Sequence, residues 1–223
     1  MSEAIEIIKE RRSVRSYKDK PVSEKIISRL IACACYAPSG MNSQPWRFIV
    51  IRNPETKNKI GRLAKLGSGS RMTAWHCLGE TQERFKKIED PVKKAEVLRF
   101  MYSGEVSEFA RYAPVIIAVL GTLMEGSVDV PYDLSAAVEN MLIEAHSLGL
   151  GACWVHGPVA STRDAKKFKE ILKIPTGMGE YKVIAYVAFG WPAEQRKHPR
   201  PKKPLEELVY WEEFGRKERP KYG

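Results

Sequence analysis

The segment that most constrains the fold is residues 114–121, an unbroken apolar run with the sequence PVIIAVLG. A short run rich in β-branched residues, with no polar position on either face, is typical of a strand that is covered on both sides. Residues 181–189 contain a second run of this kind. Helices must then lie on both faces of the sheet that holds these strands. The sequence therefore predicts an α+β fold built on a mixed sheet of four or five strands.

The other elements follow from shorter patterns. Apolar residues at three- and four-residue spacing predict helices, and serines are placed to cap several of them. Gly149 is a natural stop for the longest helix. Residues 37–45 contain two prolines, a glycine and an asparagine, which predicts an irregular loop. The predicted helices begin at Ser2, Ser23, Asn53, Pro131 and Ser161, the second ending at Tyr36 and the fourth at Leu148, and the further strands are Trp46–Ile51 and Gly151–Val155.

The length of 223 residues fits a single domain, residues 1–223. Residues 66–113 combine a GSGS segment with mixed helical patterns, and we expect them to form a variable cap. Residues 191–223 are rich in proline and charge and cannot build a core of their own. We therefore expect this tail to lie along another surface.

The chain is basic, with a net charge of +10, which raises the hypothesis of a nucleic-acid partner. The basic residues are dispersed among 27 acidic ones, and aromatic residues are not interleaved with the basic runs as a single-strand platform needs. The prediction is therefore that no nucleic acid is bound. A basic nucleic-acid-binding protein remains the alternative outside enzymology.

The location of the protein is predicted from two absences in the sequence. No apolar run reaches the roughly 18–20 residues that a membrane span needs. The first residues are acidic and lack the basic start and apolar stretch of a signal peptide. We expect a cytoplasmic protein with no membrane partner.

Familiar catalytic motifs are also missing. No glycine-rich dinucleotide or phosphate loop, no HExxH segment and no CxxC or Cys/His cluster occurs, so no metal site is predicted. Cys153 and His156 could form a nucleophile–base pair, but they are three residues apart on a strand-like segment and their side chains need not meet. A chain of this kind often takes its chemistry from a cofactor.

Two segments have the residues that such a cofactor would need. Arg11, Arg12 and Arg15 can offer forked donors to a terminal phosphate, and Ser13 adds a hydroxyl. Residues 38–44 offer short polar side chains and open backbone groups, and an asparagine amide can both donate and accept hydrogen bonds.

Four segments, taken in order and with their spacing, resemble the FMN-dependent nitroreductase family, and the resemblance covers nearly all of the chain except residues 66–112. It implies a three-layer α/β/α sandwich with a mainly antiparallel sheet and a C-terminal tail, residues 191–223, that extends over the partner subunit of a homodimer. The segments are Arg11–Tyr17, Ala37–Trp46, Gly149–Trp154, and Gly190–Glu194 followed by Arg200–Glu207.

The resemblance also implies where FMN binds. The phosphate is assigned to Arg11 and Ser13, the phosphate, ribityl chain or ring to Arg12 and Arg15, and Arg200 and Lys202 are expected to close over the same phosphate. One flavin is lined by the partner's Pro38, Ser39 and Gly40, with Asn42 on the polar edge of the ring and Gln44 either contacting it or bracing the loop. The backbone N–H groups of Val155, His156 and Gly157 are placed near flavin N5 and O4.

His156 departs from the glycine or acidic residue that is often found at this position in the family. Its side chain could tune the flavin or meet the substrate, and an ordinary surface histidine is an equal alternative.

The function that the resemblance implies is an FMN-dependent oxidoreductase. NADH or NADPH would give hydride to flavin N5 and leave, and a nitroaromatic, quinone or other conjugated compound would then be reduced in a ping-pong cycle. No catalytic side chain is nominated, because the protein's part is positioning and electrostatics.

Two other enzyme classes share this type of fold. One is reductive dehalogenation, as in the iodotyrosine deiodinases, whose loop has a similar Ala-Pro-Ser-Gly opening, although residues 42–44 differ from that pattern. The other is the flavin-fragmenting synthase of the cobalamin lower ligand, against which Asn42 and Ser13 argue mildly.

Overall fold

The structure is a computed structural model, and it describes residues 3–77, 85–122, 129–159, 161–177, 179–194 and 202–220. Two sequence predictions fall outside these residues, namely the Ser2 helix cap and the placement of Arg200.

The sheet has four strands in the order β1-β2-β4-β3, and each pair of neighbours is antiparallel. Every residue of the central strand β2 is buried, as its apolar run predicted. A parallel bridge joins Ser13 to Ala152 at the outer edge of β3. The prediction of an α+β fold with a mainly antiparallel sheet is confirmed. The strands are β1 Trp46–Ile51, β2 Val115–Gly121, β3 Gly151–Val155 and β4 Lys182–Gly190.

Strand β4 contains a β-bulge. Its register with β2 passes from the pair Val119–Ala185 to the pair Leu120–Val183, so that Ile184 is an extra residue. Bulges bend a strand and redirect its groups, and they are frequent beside functional sites.

The helices begin and end close to the predicted positions. The Ser23 hydroxyl accepts the N–H of Ile26, and the Ser161 hydroxyl accepts the N–H of Asp164, as expected of N-caps. Gly149 follows the helix Val130–Ser147 with a φ of 73°, which confirms it as a stop. The helices are α1 Glu3–Glu10, α2 Glu24–Cys35, α3 Pro54–Cys77, α4 Pro91–Tyr102, α5 Val130–Ser147, α6 Thr162–Leu172 and α7 Leu205–Leu208, with short 3₁₀ helices at Gly40–Asn42, Glu105–Tyr112 and Gly157–Val159.

The core lies in two layers, one on each face of the sheet. Helices α2 and α5 cover one face, where Leu30 and Met141 pack with Ile117. Helices α3 and α6 cover the other face, where Ile60 and Phe168 pack with the alternate residues of the strands. Burial on both faces of β2 therefore defines the three layers.

Helix α3 continues through the GSGS segment to Cys77. Two of its glycines are buried at points of close approach. A Cβ added to Gly67 would lie 2.4 Å from the carbonyl oxygen of Gly157, and one added to Gly69 would lie 2.7 Å from that of Tyr102. The glycines therefore allow backbone to pack directly against the helix. Across the described residues, none of the helices has both the length and the apolar character needed to cross a bilayer.

Candidate functional site

The basic segment, residues 11–17, is fixed across the ends of β3 and β4. The N–H of Val14 donates to the carbonyl of Ala152 at 2.9 Å. The Tyr17 hydroxyl donates to the carbonyl of Val14 at 2.7 Å and also lies 3.2 Å from that of Ala188. Gly151 makes room for the segment, because a Cβ there would lie 2.6 Å from the Val14 side chain. The basic side chains thus project from a backbone that the sheet holds in place.

Three of the predicted phosphate ligands act on the Cys153 thiol. Burial raises the pKa of this thiol, while the charge of Arg15, a hydrogen bond with Ser13 and the charge of Arg11 act in the opposite direction. The Ser13 hydroxyl therefore lies at the thiol, and the two arginine charges lie near enough to act on it. Arg12 is half-buried in the same segment.

The Arg11 side chain is partly buried against α5. Its Nε lies 3.2 Å from Oε1 of Glu139, which makes an ion pair. The same Nε is shielded from solvent and has no hydrogen-bond partner within the described part of the chain, so the carboxylate lies near it but off the N–H direction. Buried donors are nearly always hydrogen-bonded, so we expect an acceptor to bind at this Nε. Arg15 has a different neighbour, the ring of Phe109, whose centroid lies 5.7 Å from the guanidinium carbon.

The loop of residues 38–44 contains three left-handed residues that are not glycine. Met41, Asn42 and Gln44 have φ angles of 51°, 55° and 48°. Such conformations cost of the order of 1 kcal/mol or more each and are frequent at binding sites. The side chains of Asn42 and Gln44 are exposed, and the Gln44 amide donates to the carbonyl of Asn42 at 3.4 Å. The Gln44 side chain therefore contacts its own loop, and its contact with the flavin stays a prediction.

Two hydrogen bonds hold the backbone of this loop in place. The Ser39 hydroxyl accepts the N–H of Gln44 at 3.0 Å. A carboxylate oxygen of Asp133, a residue buried in the first turn of α5, accepts the N–H of Gly40 at 3.2 Å. The sequence prediction missed Asp133. The sequence feature that could have identified Asp133 is its position, since it is an acidic residue among the apolar positions of a buried helix.

The turn of residues 155–157 follows β3. Val155 and Gly157 are buried, whereas His156 is exposed, and its Nδ1 lies 2.7 Å from the carbonyl oxygen of Ile184. Helix α3 packs against the other side of the turn through Gly67. The alternative of a Cys153–His156 catalytic pair is wrong, because the Cys153 thiol contacts the carbonyl of Trp154 and the imidazole contacts Ile184.

The three parts of the predicted site are not equally close within one chain. The basic segment contacts Ala152, and the turn begins three residues later, about 10 Å along an extended strand. The loop instead precedes β1, the strand at the opposite edge of the sheet. Three strand spacings, at least about 14 Å, separate β1 from β3. The structure therefore places two of the predicted parts on β3 and the third away from them.

The described residues of the tail, 191–194 and 202–220, contribute no enclosed part of the site in a single chain. Lys202 is exposed, as are the others apart from Trp191, Pro192, Trp211 and Pro220, which are half-buried. Within the described residues, no group of three or more His, Cys, Asp or Glu side chains is placed to hold a metal ion.

Comparison with known proteins identifies the family. The sequence model of the Nitroreductase family matches residues 8–191. An NADH dehydrogenase of Thermus thermophilus is 27% identical over 216 residues, 90% of this chain and 92% of the relative. The 5,6-dimethylbenzimidazole synthase of Rhodospirillum rubrum is 28% identical over 197 residues, 86% of this chain and 82% of the synthase. The iodotyrosine deiodinase of Thermotoga neapolitana is 25% identical over 212 residues, with coverage of 92% and 94%.

Solved structures agree with the sequence comparison. A nitroreductase with bound FMN from Bacteroides fragilis superimposes with a TM-score of 0.63 at 25% identity, covering 92% of this chain and 96% of the other. The resemblance inferred from the four sequence segments is confirmed. Because the family model spans most of its length, this chain belongs to the nitroreductase family.

Proposed function

We propose that this protein is a homodimeric, FMN-dependent NAD(P)H oxidoreductase that reduces nitroaromatic, quinone or related conjugated compounds. The observation that carries the proposal is the Arg11 Nε, which is buried and without a hydrogen-bond partner among the described residues, in the segment that also holds Ser13 and Arg15 and is bridged to the start of β3. A terminal phosphate supplies the oxygens that such a donor set lacks. The residues present therefore fit the phosphate end of FMN.

The turn at the other end of β3 suits the flavin ring. Its backbone amides follow a buried strand directly, and Gly157 brings the backbone close to its neighbours without a side chain. Fixed backbone donors stabilise negative charge on a bound ring, because they need no reorientation when the charge forms. When bound, FMN supplies the two-electron redox chemistry between a nicotinamide donor and the acceptor. We assign no catalytic side chain, since the described residues bind and orient.

A homodimer would complete this site. The loop of residues 38–44 cannot reach the basic segment of its own chain across the width of the sheet. Apolar side chains near the loop and in the tail are strongly exposed, among them Tyr36 and Met41 at 87% and Phe214 at 91%. Helix α1 likewise has no buried residue, although Ile5 and Ile8 lie on it. Exposed apolar groups of this extent favour a subunit interface whose occupant is a second copy of the chain.

The proposal is tested by an absorbance scan of the purified protein. FMN is added, free FMN is removed by dialysis, and NADH or NADPH is then added under argon. A yellow protein whose flavin bands bleach with either donor supports the proposal, and a nitroaromatic and a quinone are then compared as agents that restore the bands. A colourless protein that holds no FMN contradicts it, and nucleic-acid affinity that falls steeply with salt would then support the basic-binding alternative.

Two other reactions are second candidates, because the deiodinase and synthase relatives are as similar as the NADH dehydrogenase. The same reduced holoprotein separates them. Release of iodide from an iodotyrosine would indicate reductive dehalogenation. Loss of the flavin bands in air that added FMN alone restores would indicate fragmentation of the flavin. Bands that return in air or with a quinone, without loss of flavin, support the oxidoreductase.

The contact between α3 and the turn gives a first structural prediction. Replacing Gly67 with Ala places a methyl group against the Gly157 carbonyl, and one of the two backbones must move. We expect the free energy of unfolding to fall by about 1–3 kcal/mol, the usual effect of overpacking. We also expect weaker FMN binding, because the displaced turn is the one assigned to the flavin. Urea unfolding and fluorescence titration with FMN measure the two effects.

Gly69→Ala is the matched control. It adds the same methyl group to the same helix, but against the carbonyl of Tyr102 in α4 instead of the turn. We expect a similar loss of stability with little change in FMN affinity. Equal effects of the two variants on FMN affinity would argue against a role for the Gly67 contact in the site.

A further inference from the structure

The imidazole of His156 has a defined proton arrangement. Its Nδ1 lies 2.7 Å from the backbone carbonyl oxygen of Ile184. A carbonyl oxygen only accepts hydrogen bonds, so Nδ1 carries the hydrogen and donates it. This bond persists whether the ring is neutral or protonated. The position of the ring is therefore set by its Nδ1 side.

The acceptor in this bond is available because of the bulge in β4. The ladder with β2 pairs Val183 and Ala185 but passes over Ile184, and the ladder with β3 ends at the pair Val155–Tyr186. Ile184 is thus the residue of β4 that neither described ladder pairs. The bulge offers its carbonyl to a side chain at the end of the neighbouring strand. That side chain is His156, the first residue beyond β3.

The turn is also held at the next residue. A Cβ on Gly67 would lie 2.4 Å from the Gly157 carbonyl oxygen, and one on Gly157 would lie 3.3 Å from that of Ala64. Helix α3 therefore contacts the turn at Gly157, and the His156–Ile184 bond holds it at His156. The backbone between these two contacts is the part assigned to the flavin ring.

We propose that His156 is a positioning residue, which through its Nδ1–H bond to the Ile184 carbonyl holds the backbone of residues 155–157 in the conformation that binds FMN. This inference rests on the proposed function, since it concerns the same cofactor. It assigns to the side chain a role separate from the backbone N–H groups. The imidazole affects FMN binding by fixing the backbone of the turn, and its Nε2 atom has no part in this role.

Two substitutions separate the nitrogen atoms of the ring. In His156→Asn the side-chain amide nitrogen takes roughly the place of Nδ1 and can still donate to Ile184. In His156→Gln it takes roughly the place of Nε2 and cannot. We expect His156→Asn to keep the Kd for FMN within about threefold of the wild type, and His156→Gln and His156→Ala to raise it about tenfold or more, the loss of roughly one good hydrogen bond.

A second measurement does not depend on the cofactor. In the protein without FMN, hydrogen exchange of the amides of Val155, Gly157 and Val159 should be as slow in His156→Asn as in the wild type, and faster in His156→Gln. The same pair of substitutions at His146, which lies on α5 with its Nε2 3.9 Å from a carboxylate oxygen of Glu10, should change neither measurement. Melting temperatures of all variants show whether a change in affinity reflects general unfolding.

The outcomes are distinct. Tight FMN binding by His156→Gln and weak binding by His156→Asn would overturn the proposal and assign the role to Nε2. Wild-type affinity and wild-type exchange in both variants would overturn it as well, leaving His156 a surface residue. A wild-type protein that binds no FMN would contradict the proposed function instead, and unequal exchange in the two variants would then still show that the bond fixes the turn.

Discussion

Replacing Arg11 with Ala is expected to raise the Kd for FMN roughly 10- to 100-fold, the range that corresponds to the loss of a hydrogen bond between charged groups. The Nε of this residue is buried and lacks a hydrogen-bond partner among the described residues, so a phosphate oxygen would satisfy it. The substitution also leaves the Glu139 carboxylate without its cationic partner beside the bound phosphate. Both effects raise the Kd for FMN.

Lys202→Ala should have a smaller effect. Lys202 is exposed in the structure of one chain, and an exposed charge is screened by solvent and salt. We expect a change of a few-fold in Kd, and a double variant close to the product of the two, provided that the residues contact separate phosphate oxygens. The Kd of Arg11→Lys for FMN should lie between those of the wild type and Arg11→Ala, because lysine keeps the charge but lacks the forked donors.

Riboflavin makes this experiment specific to the phosphate. Fluorescence titrations should show that Arg11→Ala strongly weakens the binding of FMN and has little effect on the binding of riboflavin. Lys59→Ala is the control for loss of one positive charge elsewhere, since Lys59 pairs with Glu55 on the surface of α3. Unchanged FMN affinity in the double variant would remove both residues from the phosphate site. Equal weakening of the two ligands would place Arg11 at the ring instead.

Most of the framework could be predicted from the sequence because the responsible forces are local or repetitive. The apolar run of β2 predicted burial on both faces, and Ser23 and Ser161 predicted helix starts, since a cap depends on the next few residues. The segment 66–113 was harder. A GSGS sequence usually lowers helix stability, and only the packing of Gly67 and Gly69 against other backbone explains why α3 continues through it.

Candidate site residues could be named from the sequence, but their arrangement could not be predicted from it. Left-handed residues in a loop are normally signalled by glycine or asparagine, so Asn42 is compatible with this conformation, but Met41 and Gln44 give no such signal. Asp133 reaches Gly40 from a helix more than 90 residues away, and the Ile184 bulge depends on the pairing of three strands. These contacts are long-range, and neither residue spacing nor local propensity contains them.

The separation of the loop from the basic segment leads to the second large effect. If each FMN site combines the basic segment of one chain with the loop of its partner, Arg11→Ala and Asn42→Ala damage opposite contributions to the site. Each homodimer then has two damaged sites. A heterodimer of the two variants has one site with both defects and one with neither, because the Asn42→Ala chain retains Arg11 and the Arg11→Ala chain retains Asn42.

Two differently tagged chains, coexpressed and purified through both tags, allow this to be measured. At an FMN concentration that saturates the wild type but not the variants, the heterodimer should retain about one flavin per dimer and each homodimer close to none, as two-fold symmetry requires. If both contributions came from the same chain, every site of the heterodimer would carry a single defect and no flavin would be regained. The wild-type dimer with the same two tags fixes the full value. Loss of stability cannot explain recovery of half the sites. The heterodimer contains the same two variant chains as the homodimers, so a destabilised chain would lower FMN binding in both.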